Sequence, residues 1–528
     1  MKIITMINLF KKNLISHYLI LLFSVFLYSC QSTKLRKPVV IPQPISVKEA
    51  VSELMKKHQP RLNKMPPFQK FPVSIDRLEN GMMLYHLKPK KQLFEHSLIA
   101  LVLHDNANFS QVERDILLHW NLINLPVSKT NPSRKNVRLS SITNNVGTEI
   151  KAFTYKQHFG WYLNPDRSQL NKSFALLLEM TNHLAFTQNQ FYLARQKLVI
   201  ENKLNQLNGQ SLSWQLFKRL TLSQSKNKFV WDPNQYRQIR KNLSLQQLQQ
   251  FSTQTLNPEF AKVFIISSEN TQKLIHEFNR TINHSSQHLQ KFAKISTPAP
   301  IINFQAKKDL TPKKDSFIGI DRPSSTQVDI RISYWPRKIS RSEKQALDIM
   351  IEALAGDSLA SRMARDLREK QGLSYYIGGY LSQWPPLASM QFVSSSEPYK
   401  LPALIKGMLS HINLMLKKGL SKKSFQHIKQ RLLLKNYAHI ISQNQQLYRF
   451  VKLLSKNQPL KDLSQQSDEL EKLQFKDFQN VLHKMQNWVP TIFVVGDKKK
   501  IKLALCEYYT KCEIHWYNKE LDQITSHF

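Results

Sequence analysis

The sequence predicts an α+β fold built twice in tandem, and three observations carry that expectation. An order of apolar helices, a closing strand and a final helix in the first half recurs in the second half. A strand pattern of period two near residue 330 is followed at once by helical periodicity, and a polar, proline-marked stretch separates the two halves. With 528 residues and 41% apolar side chains, the chain is long enough to bury at least two ordinary cores.

Residues 1–30 read as an export signal: Lys2, Lys11 and Lys12, an apolar run from Leu19 to Leu27, then Tyr28, Ser29 and Cys30. The run is short for a membrane-spanning helix. "LYSC" resembles the lipobox of bacterial lipoproteins, which implies cleavage and acylation at Cys30 and attachment of the mature N-terminus to a membrane. Gln31 resembles the outer-membrane sorting pattern, so the expected location is the periplasmic face of that membrane. A plain signal peptide is the alternative. Residues 31–68, marked by Pro38, Pro42, Pro44, Pro60, Pro66 and Pro67, form an extended tether, because proline blocks regular hydrogen bonding.

The first domain is placed at 69–285. It contains a helix around Leu176 to Leu184, a longer one from about Asn189 to Leu207, a strand in "AKVFIIS" and a helix in "TQKLIHEF". A linker over 286–312, with Pro298 and Pro300, leads to the second domain at 313–528. There Val328, Ile330, Ile332 and Tyr334 alternate with Asp329, Arg331 and Ser333, the period of a strand with one buried face. Ser340 and Glu343 form a capping box ahead of Leu347, Met350, Ile351 and Leu354 on one helical face, and Gly356 ends that helix. A second helix is expected from about Ser358 to Gln371, stopped by Gly372. The rest repeats the first half: a helix over Leu404 to Leu416, one after Ser421, the strand "TIFVVGD" and the helix "KKIKLALCEYY".

Seventy-six Lys and Arg against 37 Asp and Glu make the charge +39, and loss of Lys2, Lys11 and Lys12 with the signal leaves +36. The basic residues are scattered, which suits a solvated surface or attraction to anionic lipid or an acidic partner. No nucleic-acid-binding module is recognisable, and nucleic acid is not an expected partner of an exported chain. Cys506 and Cys512 are spaced for either a local disulfide or two buried thiols, and no histidine cluster accompanies them to suggest a metal.

The stretch "LASRMARDLREKQGLSYYIGGY", with "IDRPSSTQVDIRISYWP" before it and "FVVGD" after it, resembles the second domain of pitrilysin/insulinase-family metallopeptidases. "LENGMMLYHLKP" and "VGTEIKAFTYKQHFGWYL" resemble parts of the first domain. The resemblance implies two domains, each a mainly antiparallel sheet covered by helices, facing each other across a cavity. It also implies that Arg368 and Tyr375 face a peptide substrate. A guanidinium and a phenol both donate hydrogen bonds to a peptide carbonyl or to the oxyanion that develops from it.

In this family the inverted motif HxxEH supplies two zinc ligands and a general base, and a glutamate on a later helix supplies the third ligand. No HxxEH occurs in the sequence. In the aligned segment "LLHWNLINLP", His119 takes the first position, Leu122 that of the base and Ile123 that of the second histidine. In "ARQKLVIENKL", Asn202 stands at the third-ligand position, beside Glu201. The expectation is therefore no cofactor and no metal in this chain.

Three functions follow from these readings. The first is a non-catalytic subunit that contributes Arg368, Tyr375 and a chamber wall to a zinc-bearing peptidase of the same family. The second is a structural or binding lipoprotein of the envelope with no proteolytic role. The third is an autonomous zinc peptidase with unusual ligands drawn from His96, His104 or His119.

Overall fold

The computed structural model describes residues 73–89, 96–104, 115, 117–118, 147–155, 158–182, 187–223, 241–255, 261–285, 305–306, 316–356, 360–384, 387–455, 465–509 and 512–524. The export signal with Cys30, the tether and most of the linker fall outside them.

The first half runs β1 (Val73–Arg77), β2 (Met83–Leu87), β3 (Leu98–His104), β4 (Lys151–Tyr155) and β5 (His158–Leu163), then α1 (Leu170–Asn182), α2 (Gln188–Leu207) and α3 (Gly209–Thr221). It ends with β6 (Leu222–Ser223), α4 (Leu245–Thr255), β7 (Lys262–Ile266) and α5 (Thr271–Ser285). β8 (Gln305–Ala306) lies in the stretch expected as linker and pairs with β6, and the second half opens with β9 (Ser316–Asp321), β10 (Val328–Tyr334), β11 (Arg337–Lys338) and α6 (Arg341–Ala355). A π-helical segment, Ala364–Lys370, precedes β12 (Ile377–Trp384) and β13 (Leu387–Ser396). Then come α7 (Leu401–Lys418), α8 (Lys422–Ile441), α9 (Gln443–Leu454), α10 (Gln465–Lys472), α11 (Phe475–Met485), β14 (Pro490–Gly496), α12 (Lys498–Tyr508) and β15 (Glu513–Tyr517).

Local chemistry sets many of these boundaries. The Ser340 and Glu343 capping box forms as expected: Ser340 N donates to Glu343 Oε2 at 2.7 Å and Glu343 N to Ser340 Oγ at 3.1 Å. Asn208 caps α3 through Ser211 N, Ser421 caps α8 through Ser424 N, and Asp497 caps α12 through Lys499 N and Lys500 N. The apolar runs of β7 and β14 are buried along almost their whole length, as central strands covered on both faces must be.

Among the described strands, one sheet has the order β1-β2-β7-β3-β5-β4, and the other has β11-β13-β10-β14-β9-β15 with β12 paired to β13. The two share a plan. In each, one strand pair inside the sheet is parallel, β2 with β7 and β9 with β14, while the neighbouring pairs β7–β3, β3–β5 and β5–β4 match β14–β10, β10–β13 and β13–β12, all antiparallel. The helix after each central strand also recurs, α5 in the first half and α12 in the second. The sheets differ at one edge, where β1 runs antiparallel to β2 but β15 runs parallel to β9.

Each half lends a helix to the other's sheet. Leu212, Leu216 and Phe217 of α3 pack against Ile320, Trp384, Phe493 and Val495 of the second sheet, and Trp214 stacks on Trp384 at 5.3 Å. In return, Leu447, Phe450 and Val451 of α9 pack on Leu87, Ala100, Val102 and Phe264, with Phe450 stacked on Phe264 at 4.3 Å. Each such side chain contributes about 1.5–3 kcal/mol when withdrawn from water, so the exchanged helices bind the halves strongly.

Two expectations are corrected. Strand β10 buries both faces: Arg331 and Ser333, read as the exposed side, are 2% and 0% accessible because α3 covers them. The helix expected from Ser358 to Gln371 is shorter and mostly π-helical, with Gln371 N donating to Asp366 O across five residues. Gly372, at φ 60°, does end it.

Candidate substrate-binding site

Arg368 lies in the last turn of the π-helical segment, and Tyr375 lies in the short connection from that segment to β12. Both side chains are exposed, Tyr375 to 82%, and neither forms a hydrogen bond or ion pair with another described residue. Tyr376 and Tyr380 are also partly exposed, at 56% and 39%, and continue the aromatic row into β12.

The backbone beneath these side chains is tied down. Leu367, buried, lies against Gly407 of α7, where an added Cβ would come within 2.4 Å of its Cδ2 atom and force that side chain to move. His411 Nε2 meets Asp366 Oδ2 at 2.7 Å, and Gln371 Nε2 donates to Asp366 Oδ1 at 3.1 Å. These two bonds, Gln371's foremost, hold the Asp366 carboxyl below its usual pKa. On the Tyr375 side, the Ser374 and Ser394 hydroxyls each reach Tyr376 O at 2.8 Å, and Tyr376 N donates to Ser374 Oγ at 3.1 Å. The pair thus projects from a fixed backbone. That arrangement suits donors offered to an external carbonyl.

Behind this segment lies a buried polar cluster. Arg331 on β10 donates through Nε to Ser213 Oγ at 2.9 Å, through Nη2 to Gln210 O at 2.8 Å, and through Nη1 to Tyr380 Oη at 2.5 Å. Trp214 and Tyr380 present their rings to its guanidinium at 5.4 and 5.9 Å. The cluster joins α3 of the first half to the strand that follows Tyr375. Asp366, His411, Gln210 and Ser213 carry no signal in the sequence. Their partners lie 45 to 121 residues away, and no local pattern announces such pairs.

Of the expected zinc-motif positions, His119, Leu122 and Ile123 lie outside the described residues, and Asn202 falls on α2. Leucine and isoleucine carry no donor atom, so this set does not fit a zinc ion. Among the described residues no group of three or more His, Cys, Asp or Glu is placed to hold a metal. His96 lies before β3 and His104 at its far end, where its ring meets that of His158 in a tilted contact at 4.6 Å between centroids. The intervening strand keeps the two about 20 Å apart, so they do not share an ion. Cys506 and Cys512 are joined in a disulfide.

Residues 242–432, which include Arg368 and Tyr375, match the protein family described as Peptidase M16 inactive domain. Solved structures match over most of the chain. A protease from Helicobacter pylori superposes with a TM-score of 0.65 at 16% identity, over 81% of this chain and 100% of that one. The chain has the M16 peptidase fold. A peptidase M16 inactive domain from Pseudomonas fluorescens gives 0.61 at 15% identity over 81% of this chain and 98% of that one. The periplasmic protease PqqL from Escherichia coli gives 0.56 at 14% identity, over 81% of this chain but 46% of that longer one. No curated protein sequence matches the chain. M16 is the pitrilysin/insulinase family that the sequence resembles, and the M16 inactive-domain match falls on the segment carrying that resemblance most fully.

Proposed function

We propose that the chain is a non-catalytic M16 homologue that lends Arg368, Tyr375 and one wall of a substrate chamber to a zinc-bearing peptidase subunit of the same family. One asymmetry carries this reading. The Arg368 and Tyr375 side chains are free and project from a tied backbone, whereas Leu122 and Ile123 stand where zinc chemistry needs a base and a ligand. In this arrangement the substrate is a peptide or unfolded segment whose carbonyl accepts hydrogen bonds from the guanidinium and the phenol, while the partner's zinc site performs the hydrolysis. Acylation at Cys30 would hold the assembly at the periplasmic face of the outer membrane.

Isolating the native chain from membranes and assaying the material on an unfolded peptide tests this directly. A second subunit bearing HxxEH should co-purify. An Arg368→Ala, Tyr375→Phe double variant should lose about 10²-fold in kcat/KM, the usual scale for losing oxyanion donors, with its own melting temperature unchanged. Unchanged peptidase activity, or no such partner, would leave the structural lipoprotein in its place. Purified alone without chelators, the chain should contain no zinc by elemental analysis, and about one zinc per chain would sink the reading.

A further inference from the structure

We propose that the cleft between α8 and the α10–α11 turn is a binding site for a phosphate-bearing anion. The inference is independent of the proposed peptidase role. The cleft is a solvent-open concavity of about 560 Å³, which lies within the usual range for small-molecule sites and far exceeds the volume of a bare phosphate. Lys422, Gln426 and Lys429 line one wall from a single face of α8, and Lys472 and Lys476 line the other.

Lys429 is built into the floor. Its Nζ donates to Glu471 O at 2.6 Å and Leu473 O at 2.9 Å, which fixes the shape of the turn and leaves one N–H for a ligand. Burial lowers its pKa, a cost that a nearby anion would offset. Lys422, Lys472 and Lys476 are exposed, and none forms an ion pair among the described residues. Other lysines in the fold do find a carboxylate, as Lys344 does with Asp348 at 2.6 Å and Lys484 with Glu343 at 2.9 Å. Glu471 is the single carboxylate lining the cleft, against four lysines. Four ammonium groups around one concavity repel each other, and a multiply charged oxyanion is the ligand that relieves this repulsion. Compact ammonium groups on flexible stems suit a phosphate's several oxygens. The ligand is either a soluble phosphorylated molecule or a phospholipid headgroup, since both present the same group.

Equilibrium dialysis of the full chain against labelled pyrophosphate tests the site. Binding should weaken at least tenfold in a Lys422→Gln, Lys472→Gln, Lys476→Gln variant whose melting temperature matches the wild type. A control with the same charge loss elsewhere, Lys172→Gln, Lys499→Gln, Lys519→Gln, should bind as the wild type does. Vesicles of phosphatidylglycerol in phosphatidylcholine then separate the sources: competition with pyrophosphate identifies a lipid headgroup, and its absence identifies a soluble ligand. No binding by the wild type, or equal losses in the variant and the control, would overturn the proposal.

Discussion

Loss of the Arg331 guanidinium would leave Ser213 Oγ, Tyr380 Oη and Gln210 O without their donor, with Arg331 itself 2% accessible. Stranding buried acceptors costs more than the net worth of the bonds that satisfied them. Arg331→Met should therefore destabilise the protein by about 3 kcal/mol in denaturant unfolding. Arg331→Lys should recover little, because one ammonium cannot reach three divergent partners. Asp366 behaves differently because it is partly exposed. Its lowered pKa means that its contribution is fully present above 3.8, the ordinary aspartate value, and is lost as pH falls through the lower folded value. The stability gap between wild type and Asp366→Asn, followed by acid unfolding, should be widest near neutrality and close below that value. His411→Ala should loosen the Arg368 segment, read as faster amide exchange over residues 364–373, without global unfolding.

At the scale of elements, α3 carries the most consequence for its length. It caps on Asn208, crosses from its own half and lays Trp214 and Phe217 on the second sheet. Lys218 is carried along with them, and burial brings its pKa down to about 8 from 10.5. The unfolded chain then binds more protons than the folded one between those two values, so stability should rise as pH goes from 8 towards 10.5. Lys218→Met should reduce that rise in a thermal-melt series, with Lys262, also lowered by burial, supplying part of what remains. The sequence placed α2, α5, α8 and α12 within a few residues, because caps and apolar periodicity are local. The π-helical segment escaped it, since no local residue pattern marks a widened turn, and its Leu367 packs against Gly407 forty residues later.

In the whole molecule, the exchange of α3 and α9 makes the halves interdependent. Residues 313–528 expressed alone would expose the apolar surface around Ile320, Trp384 and Phe493 that α3 covers. That fragment should bind an apolar dye and lack a cooperative melt, whereas the whole chain should unfold in one transition. A fragment with a sharp melt of its own would show that the exchanged helices are dispensable.

The sequence by itself determined the duplication, the α+β class, most helices, the Ser340–Glu343 capping box and the absence of an HxxEH motif, because each is written in short-range spacing and residue type. Tertiary structure decided which faces are buried, as β10 shows. Alternating Asp329, Arg331 and Ser333 look solvated until a helix more than a hundred residues earlier covers them. It also decided that Arg368 and Tyr375 stand free while Arg331 is enclosed. All three are donors of similar chemistry, and only long-range packing distinguishes a donor held within the fold from one offered outside it.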